Sequence, residues 1–386
     1  MIYFDNNATT MVDPRVVEAM LPFLREQYAN PSSVHHFGQQ ARHAVETARE
    51  QVAAAIGASP RQIAFTGSGT EANHLAIRGV LAARPGKRHF VTTAVEHDSI
   101  LRLAEQLVNE GYSVSYVEVD RMGRIDPDEF AAALTEETAL ASVMHANNET
   151  GVIFPIERLG EIAASKNVPL HVDATQTVGK MVIDVKKLPV QLLTMAAHKF
   201  HGPKGVGAVY VGRKIRVRPQ LLGGHQERDM RAGTENVPGI VGMATALKLA
   251  IEHLDEENTR VRAMRDRLER EILERVPNSH LNGDRDQRTP NTTNISFEAL
   301  EAEAILMLLS NHELCASSGS ACSTGSLEPS HVLQAMGIDP LIAHGAIRFS
   351  LSRFNTEAEV DRALEIVPEV IERLRAVHPR EVVTGS

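Results

Sequence analysis

Apolar residues recur at three- and four-residue intervals from about residue 40 to 56. Ala41, Ala44, Val45, Ala48, Val52 and Ile56 fall on one face, which predicts an amphipathic helix. From there to about residue 212 the pattern changes. Short apolar runs at 62–66, 89–95, 114–119, 139–144, 170–173, 192–197 and 207–211 alternate with helical stretches starting near Thr70, Ser99, Pro127 and Pro155. Buried strands alternating with helices predict a mostly parallel sheet covered on both faces. In such sheets ligands gather where loops leave the carboxyl ends of the strands.

A helical region follows from about residue 238 to 275. Its first half is apolar (Ile240, Val241, Met243, Leu247, Ile251), and its second half is charged, with Glu256/Arg260 and Asp266/Arg270 four residues apart. Beyond Pro277 the pattern resets to strands at 293–297, 313–316 and 346–351 and helices at 301–310 and 357–376, the outline of a smaller α+β unit.

Composition narrows the class. The 386 residues are 43% hydrophobic and 23% charged, the balance of a folded globular protein. A net charge of −9 argues against general binding to nucleic acid or anionic membrane. With two cysteines only, Cys315 and Cys322, free thiols in a reducing compartment are expected rather than a disulfide scaffold. No basic segment followed by an apolar stretch opens the chain, and no apolar run approaches a membrane span, so a cytoplasmic location is expected.

Five segments carry candidate chemistry. Lys199, in Ala197-His198-Lys199-Phe200-His201-Gly202-Pro203, ends a buried run. A lysine there is a solvent-facing loop residue or an amine made nucleophilic by desolvation. Asp173 also ends a buried strand and either caps the next helix or pairs with a protonated ring nitrogen. Thr66-Gly67-Ser68-Gly69-Thr70 turns from a strand into a helix, as an ordinary turn or as an anion cradle of helix N–H groups. His97 follows another strand and is structural or a ring-stacking, proton-moving group. Cys322, among small residues from Ser317 to Ser326, is an inert linker thiol or a nucleophile on a swinging loop. Seventeen histidines raise a metal reading, but no HExxH or paired Cys-x-x-Cys supports it.

These segments, together with Tyr3-Phe4-Asp5-Asn6-Asn7-Ala8-Thr9-Thr10, Ala146-Asn147-Asn148-Glu149-Thr150-Gly151, Gly223-Gly224-His225-Gln226-Glu227-Arg228, Arg231-Ala232-Gly233-Thr234-Glu235-Asn236 and Ile347-Arg348-Phe349-Ser350, resemble the cysteine desulfurases of the NifS/IscS family, nearest the NifS type. The resemblance runs nearly end to end. It implies an α/β protein of the pyridoxal-phosphate-dependent transferase fold type I, with a mostly parallel seven-stranded sheet. The large domain would span 15–255. The small α+β domain would comprise 1–14 and 256–386 and carry the Cys322 loop. It also implies a homodimer that takes sulfur from L-cysteine, leaves L-alanine, and passes the sulfur to an iron–sulfur scaffold protein.

By the same resemblance Lys199 is the Schiff-base lysine, Asp173 the partner of the pyridine nitrogen and Gln176 the donor to the ring's phenolic oxygen. His97 stacks on the ring. Gly69, Thr70 and His198 hold the phosphate, with Thr234 reaching in from the other subunit. Asn148, beside the cofactor, and Arg348 grip the substrate carboxylate. Cys322 accepts the sulfur and is a transient cluster ligand during delivery. Ala196 departs from the family, where a serine commonly supplies one more phosphate donor. The readings weighed against this one are a selenocysteine lyase or β-eliminating enzyme, a silent sulfur-transfer partner, and a dehydrogenase. Gly67-Ser68-Gly69 lacks the third glycine that a dehydrogenase fingerprint needs.

Overall fold

The computed structural model describes residues 1–318 and 329–377. The chain enters through a two-residue strand β1 (Ile2–Tyr3), helix α1 (Pro14–Arg25) and helix α2 (His36–Ala55). It then builds β2 (Ile63–Thr66), α3 (Gly69–Ala83), β3 (His89–Thr93), α4 (Asp98–Asn109) and β4 (Ser113–Val117). Next come α5 (Pro127–Ala133), β5 (Thr138–Met144), α6 (Ile156–Ser165), β6 (Leu170–Asp173), β7 (Leu192–Ala196) and β8 (Gly207–Val211). Strands β2 to β8 form one seven-stranded sheet in the order β2-β8-β7-β6-β5-β3-β4. It is parallel from β7 to β4, and β8 runs antiparallel to both β7 and β2. The alternating pattern of strands and helices therefore takes the expected α/β form. Two apolar layers sandwich the sheet, one around Val45, Val91, Val143, Val172 and Met243, the other around Ile77, Phe90, Leu103, Leu140 and Val209.

A second unit contains β9 (Ser279–Leu281), β10 (Thr292–Phe297), β11 (Leu314–Cys315) and β12 (Ala346–Ser350). β12, β10 and β9 form a three-stranded antiparallel sheet. β1 pairs in parallel with β11, so Ile2 and Phe4 join an apolar cluster with Met264, Phe297, Phe349 and Val367. Cys315 is only half-buried there, not the fully enclosed thiol its apolar strand suggests.

The long helical region departs from the expected single run. Helix α7 (Val237–Glu252) gives way to a π-helical stretch at Glu257–Val261 and a further helix at Arg262–Arg275, with a bend of 58°. The bend lies at His253, where α7 ends outside helical geometry (φ −103°, ψ 11°), and the π-helical stretch beyond it coincides with the burial of Glu257. Helix α1 also has no counterpart in the periodicity reading, although Asp13 caps its N-terminus and Pro14 opens it. Among the described residues no single helix is long and apolar enough to cross a membrane.

The sheet buries histidines that have no ion-pair partner to keep them charged. Burial pushes His145 and His171 down to about 4. The unfolded chain protonates these rings near 6.5, so it takes up protons before the folded state does. Their contribution to stability is therefore lost as pH falls from about 6.5 toward 4. Glu96 acts in the opposite sense, because burial pushes its carboxyl up to about 8. We expect the melting-temperature gap between wild type and His145→Gln to shrink by several degrees between pH 7 and pH 5. A constant gap would contradict a buried neutral His145.

Candidate active site

A cavity of about 300 Å³ opens at the carboxyl ends of the parallel strands, lined by Thr70, His97, Asn148, Asp173, Lys199 and Arg348 among others. The loop after β2 forms one wall. Ser68 caps α3 by accepting from the Glu71 amide at 3.1 Å. The Thr66 hydroxyl donates to the Ser68 carbonyl, and the Gly67 amide donates to Glu71, itself paired with Arg231 at 2.7 Å. This bracing leaves the Gly69 and Thr70 end of α3 facing the cavity, where the helix dipole favours an anion. Gly207 lets β8 pass directly beneath: a Cβ there would lie 2.7 Å from the Ser68 carbonyl oxygen. Ala196 packs close to Gly69, 3.2 Å from where a Cβ would stand, and the Thr175 hydroxyl is the nearest oxygen, at 3.6 Å from the same point.

Asp173 ends β6, and Thr194 on β7 lies beside it in register. One carboxylate oxygen accepts from the Thr175 amide at 2.9 Å, and the other from the Asn73 amide nitrogen at 2.8 Å. The orientation of Asn73 is determined by its neighbours. Its oxygen accepts from the Thr194 hydroxyl at 2.6 Å, so its NH2 group must face Asp173 and Ser99. Asp173 is thereby held as an acceptor, ready for a cationic N–H. Nothing in the sequence singled out Asn73 for this work, although it stands one turn into the helix that follows the glycine loop.

His97 caps α4. Its Nδ1 accepts from the Ser99 amide at 3.1 Å, so a neutral ring carries its proton on Nε2. Burial lowers its basicity, Lys199 and His331 add to that effect, and Asp173 and Asp98 oppose it. His198 immediately precedes Lys199 in sequence, with Nδ1 at 3.2 Å from the Thr9 hydroxyl. Burial, then the charges of Lys199 and Lys204, push it down to about 4. An anion in the cavity would counter that depression.

Lys199 follows β7 in a 3-10 turn. Its Nζ donates to the main-chain carbonyls of Asn7 at 2.6 Å and Ala8 at 2.9 Å. The Gln176 Nε2 donates to the same Asn7 carbonyl at 3.1 Å. The N-terminal segment is therefore part of the cavity, which no reading of Asn7 or Ala8 as site residues had anticipated. Arg348, on β12, is 2% exposed. It donates to the Asn148 carbonyl and to Asp5, at 3.0 and 2.7 Å, while its Nε has no partner among the described residues. Asn147 sets the turn that presents Asn148, accepting from the amides of Glu149 and Thr150.

One expected residue, Thr234, is not brought to the cavity of its own chain, and another falls on undescribed residues. Thr234 lines a separate smaller recess with Gly67, Arg231 and Asn236. Cys322 lies outside the described residues, which end at Ser318 and resume at Pro329. Both flanks of that gap are held near the cavity. Ser317 exchanges main-chain hydrogen bonds with Arg348, and the Ser330 hydroxyl donates to Glu149 at 2.5 Å.

The donor set fits pyridoxal phosphate. It combines an amine, a helix-end cradle for a phosphate, a carboxylate held as acceptor, and a buried guanidinium with an orphaned N–H. Comparison with known proteins agrees. The profile of the aminotransferase class-V family matches residues 2–363. A cysteine desulfurase of Trichormus azollae is 53% identical over 98% of this chain and 95% of that protein. The cysteine desulfurase NifS of Azotobacter vinelandii is 49% identical over 98% of this chain and 94% of that protein. A solved NifS-like protein superposes with a TM-score of 0.91 at 41% identity, over 97% of this chain and all of that one.

Asn73→Ala would remove one donor to Asp173 and leave the Thr194 hydroxyl without its acceptor. We expect affinity of the apoprotein for pyridoxal phosphate to fall by roughly 10- to 100-fold, the range for losing a hydrogen bond to a charged group. Equilibrium dialysis measures it, and unchanged affinity would remove Asn73 from the site.

Proposed function

Because the chain belongs to the class-V aminotransferase family and is a pyridoxal-phosphate-dependent cysteine desulfurase, we propose how its own residues divide the work. The observation that carries the assignment is the convergence of Lys199, Asp173 and Arg348 on one cavity, with the flanks of the Cys322 segment anchored at its edge. Pyridoxal phosphate, when bound, supplies an aldehyde that condenses with amines and a ring that draws electrons from the substrate Cα.

Lys199 is the amine that holds the cofactor and, once displaced by substrate, takes the Cα proton. Its two carbonyl acceptors aim it and desolvate it together. Asp173 holds the positive charge of the ring nitrogen, and Gln176 offers an N–H to the ring's phenolic oxygen. His97, with its proton on Nε2, lies over the ring and moves protons at the substrate sulfur. Gly69, Thr70 and His198 grip the phosphate. Arg348 and Asn148 take the substrate carboxylate, the orphaned Arg348 Nε being the donor still to be satisfied.

Cys322 is the sulfur acceptor. Its thiolate attacks the sulfur of bound cysteine, an S–S bond forms, and the substrate C–S bond breaks with its electron pair moving to carbon, which then takes a proton. In sum, L-cysteine and the Cys322 thiol become L-alanine and a Cys322 persulfide. Reach supports this. Cys322 is four residues beyond Ser318, about 14 Å of extended chain, and Ser317 is bonded to the arginine that lines the cavity. The persulfide passes in the cytoplasm to an iron–sulfur scaffold protein, with Cys322 touching the nascent cluster only as cargo. Two copies of the chain form the working enzyme, each lending Thr234 to the other's phosphate cradle. The position of Thr234 in a recess outside its own cavity favours that reading.

Cys322→Ser should keep the cofactor's visible absorbance and its response to added cysteine while losing sulfide release. Full sulfide release by that variant would exclude Cys322. Lys199→Ala should lose the absorbance band of the lysine-bound cofactor, and a persisting band would exclude Lys199.

A further inference from the structure

Behind the cavity wall lies a second lysine that the chemistry above does not use. Lys180 is 4% exposed. Its Nζ donates to the Asn7 side-chain oxygen and to the Gln176 side-chain oxygen, both at 3.1 Å. An ammonium has donors only, so nothing but the oxygen of each amide can face it. Gln176 therefore turns its NH2 group the other way. One hydrogen goes to the Asn7 carbonyl, the same atom that receives the Lys199 amine, and the other is left for the cavity that Gln176 lines.

We propose that Lys180 is a positioning residue: by holding the oxygens of Gln176 and Asn7, it forces Gln176 to present an N–H, and never a carbonyl, to the cofactor. Without it only the Asn7 carbonyl, at 3.1 Å from Nε2, still opposes the flipped carboxamide, the orientation that would place a lone pair against the phenolic oxygen. The charge that faces Lys180 is Glu257, brought inward at the π-helical stretch and without a hydrogen-bond partner on Oε2. Glu257 is itself flanked by Arg353, Arg260 and Glu256. Lys199 and Arg348 face Lys180 as like charges. Burial and those two cations bring Lys180 down to about 7, with Glu257 opposing. The inference deepens the assignment of Gln176 to the phenolic oxygen and rests on it.

The test compares purified holoenzymes of wild type, Lys180→Met, Lys180→Arg, Gln176→Met and the double variant. Two quantities are read: the pH midpoint of the cofactor's visible absorbance change, and the melting temperature. Lys180→Met should move the midpoint by about half a pH unit or more, in the same direction as Gln176→Met, as expected for one lost hydrogen bond. Lys180→Arg should restore the wild-type midpoint, and the double variant should shift no further than Gln176→Met alone. A Lys180→Met enzyme with lowered melting temperature but wild-type midpoint would overturn the proposal. A wild-type midpoint in Gln176→Met would overturn the Gln176 assignment, and the inference with it. If Lys180→Met is insoluble, Lys180→Leu, which likewise removes the charge and every donor, carries the same comparison.

Discussion

The Lys199 amine donates to two main-chain carbonyls, those of Asn7 and Ala8. That contact joins the end of the central sheet to the first residues of the chain, and much else follows from it. Residues 5–13 run as a seam across the molecule. The Asn6 amide donates to Ser350, the Asn7 amide to the Ser350 hydroxyl, Thr10 to His198, and Asp13 to His201. The seam closes one side of the cavity and places Arg348, on the far unit, opposite Lys199. Both carbonyls are neutral acceptors, so they orient the amine by hydrogen bonding.

The electrostatics of the cavity show the same economy. Buried charge is costly unless it is paired or hydrogen-bonded. Asp173 has its acceptor sites partly filled by Asn73 and Thr175, Arg348 is partly paired with Asp5, and burial disfavours the charged forms of His97 and His198. What remains is a helix end facing the cavity and, among the described residues, an unpartnered guanidinium N–H. The proposed cofactor and substrate would supply the complements of both.

Much of this was legible in the chain. Six of the seven strands of the main sheet are short runs buried on both faces, β4 at the edge being largely uncovered, and the strand ends carried Asp173, Lys199 and the glycine loop. What could not be read falls into two kinds. Asn73, Asn7, Ala8 and Lys180 act through hydrogen bonds to partners tens to hundreds of residues away, and local pattern contains no trace of such distances. The break that ends α7 was hidden for another reason: it falls at His253, with no proline or glycine to mark it.

The seam has a consequence for how the molecule comes into being. Asp5 bridges to Ser350, so residues far apart in the sequence are paired along the seam. Contacts of such long sequence separation form late in folding. The sheet can condense while synthesis continues, but the lysine lacks its finished surroundings until β12 has emerged. The cavity is thus a composite of the central sheet, the seam and β12, and a chain shortened before β12 would keep Lys199 but lack Arg348 from its wall.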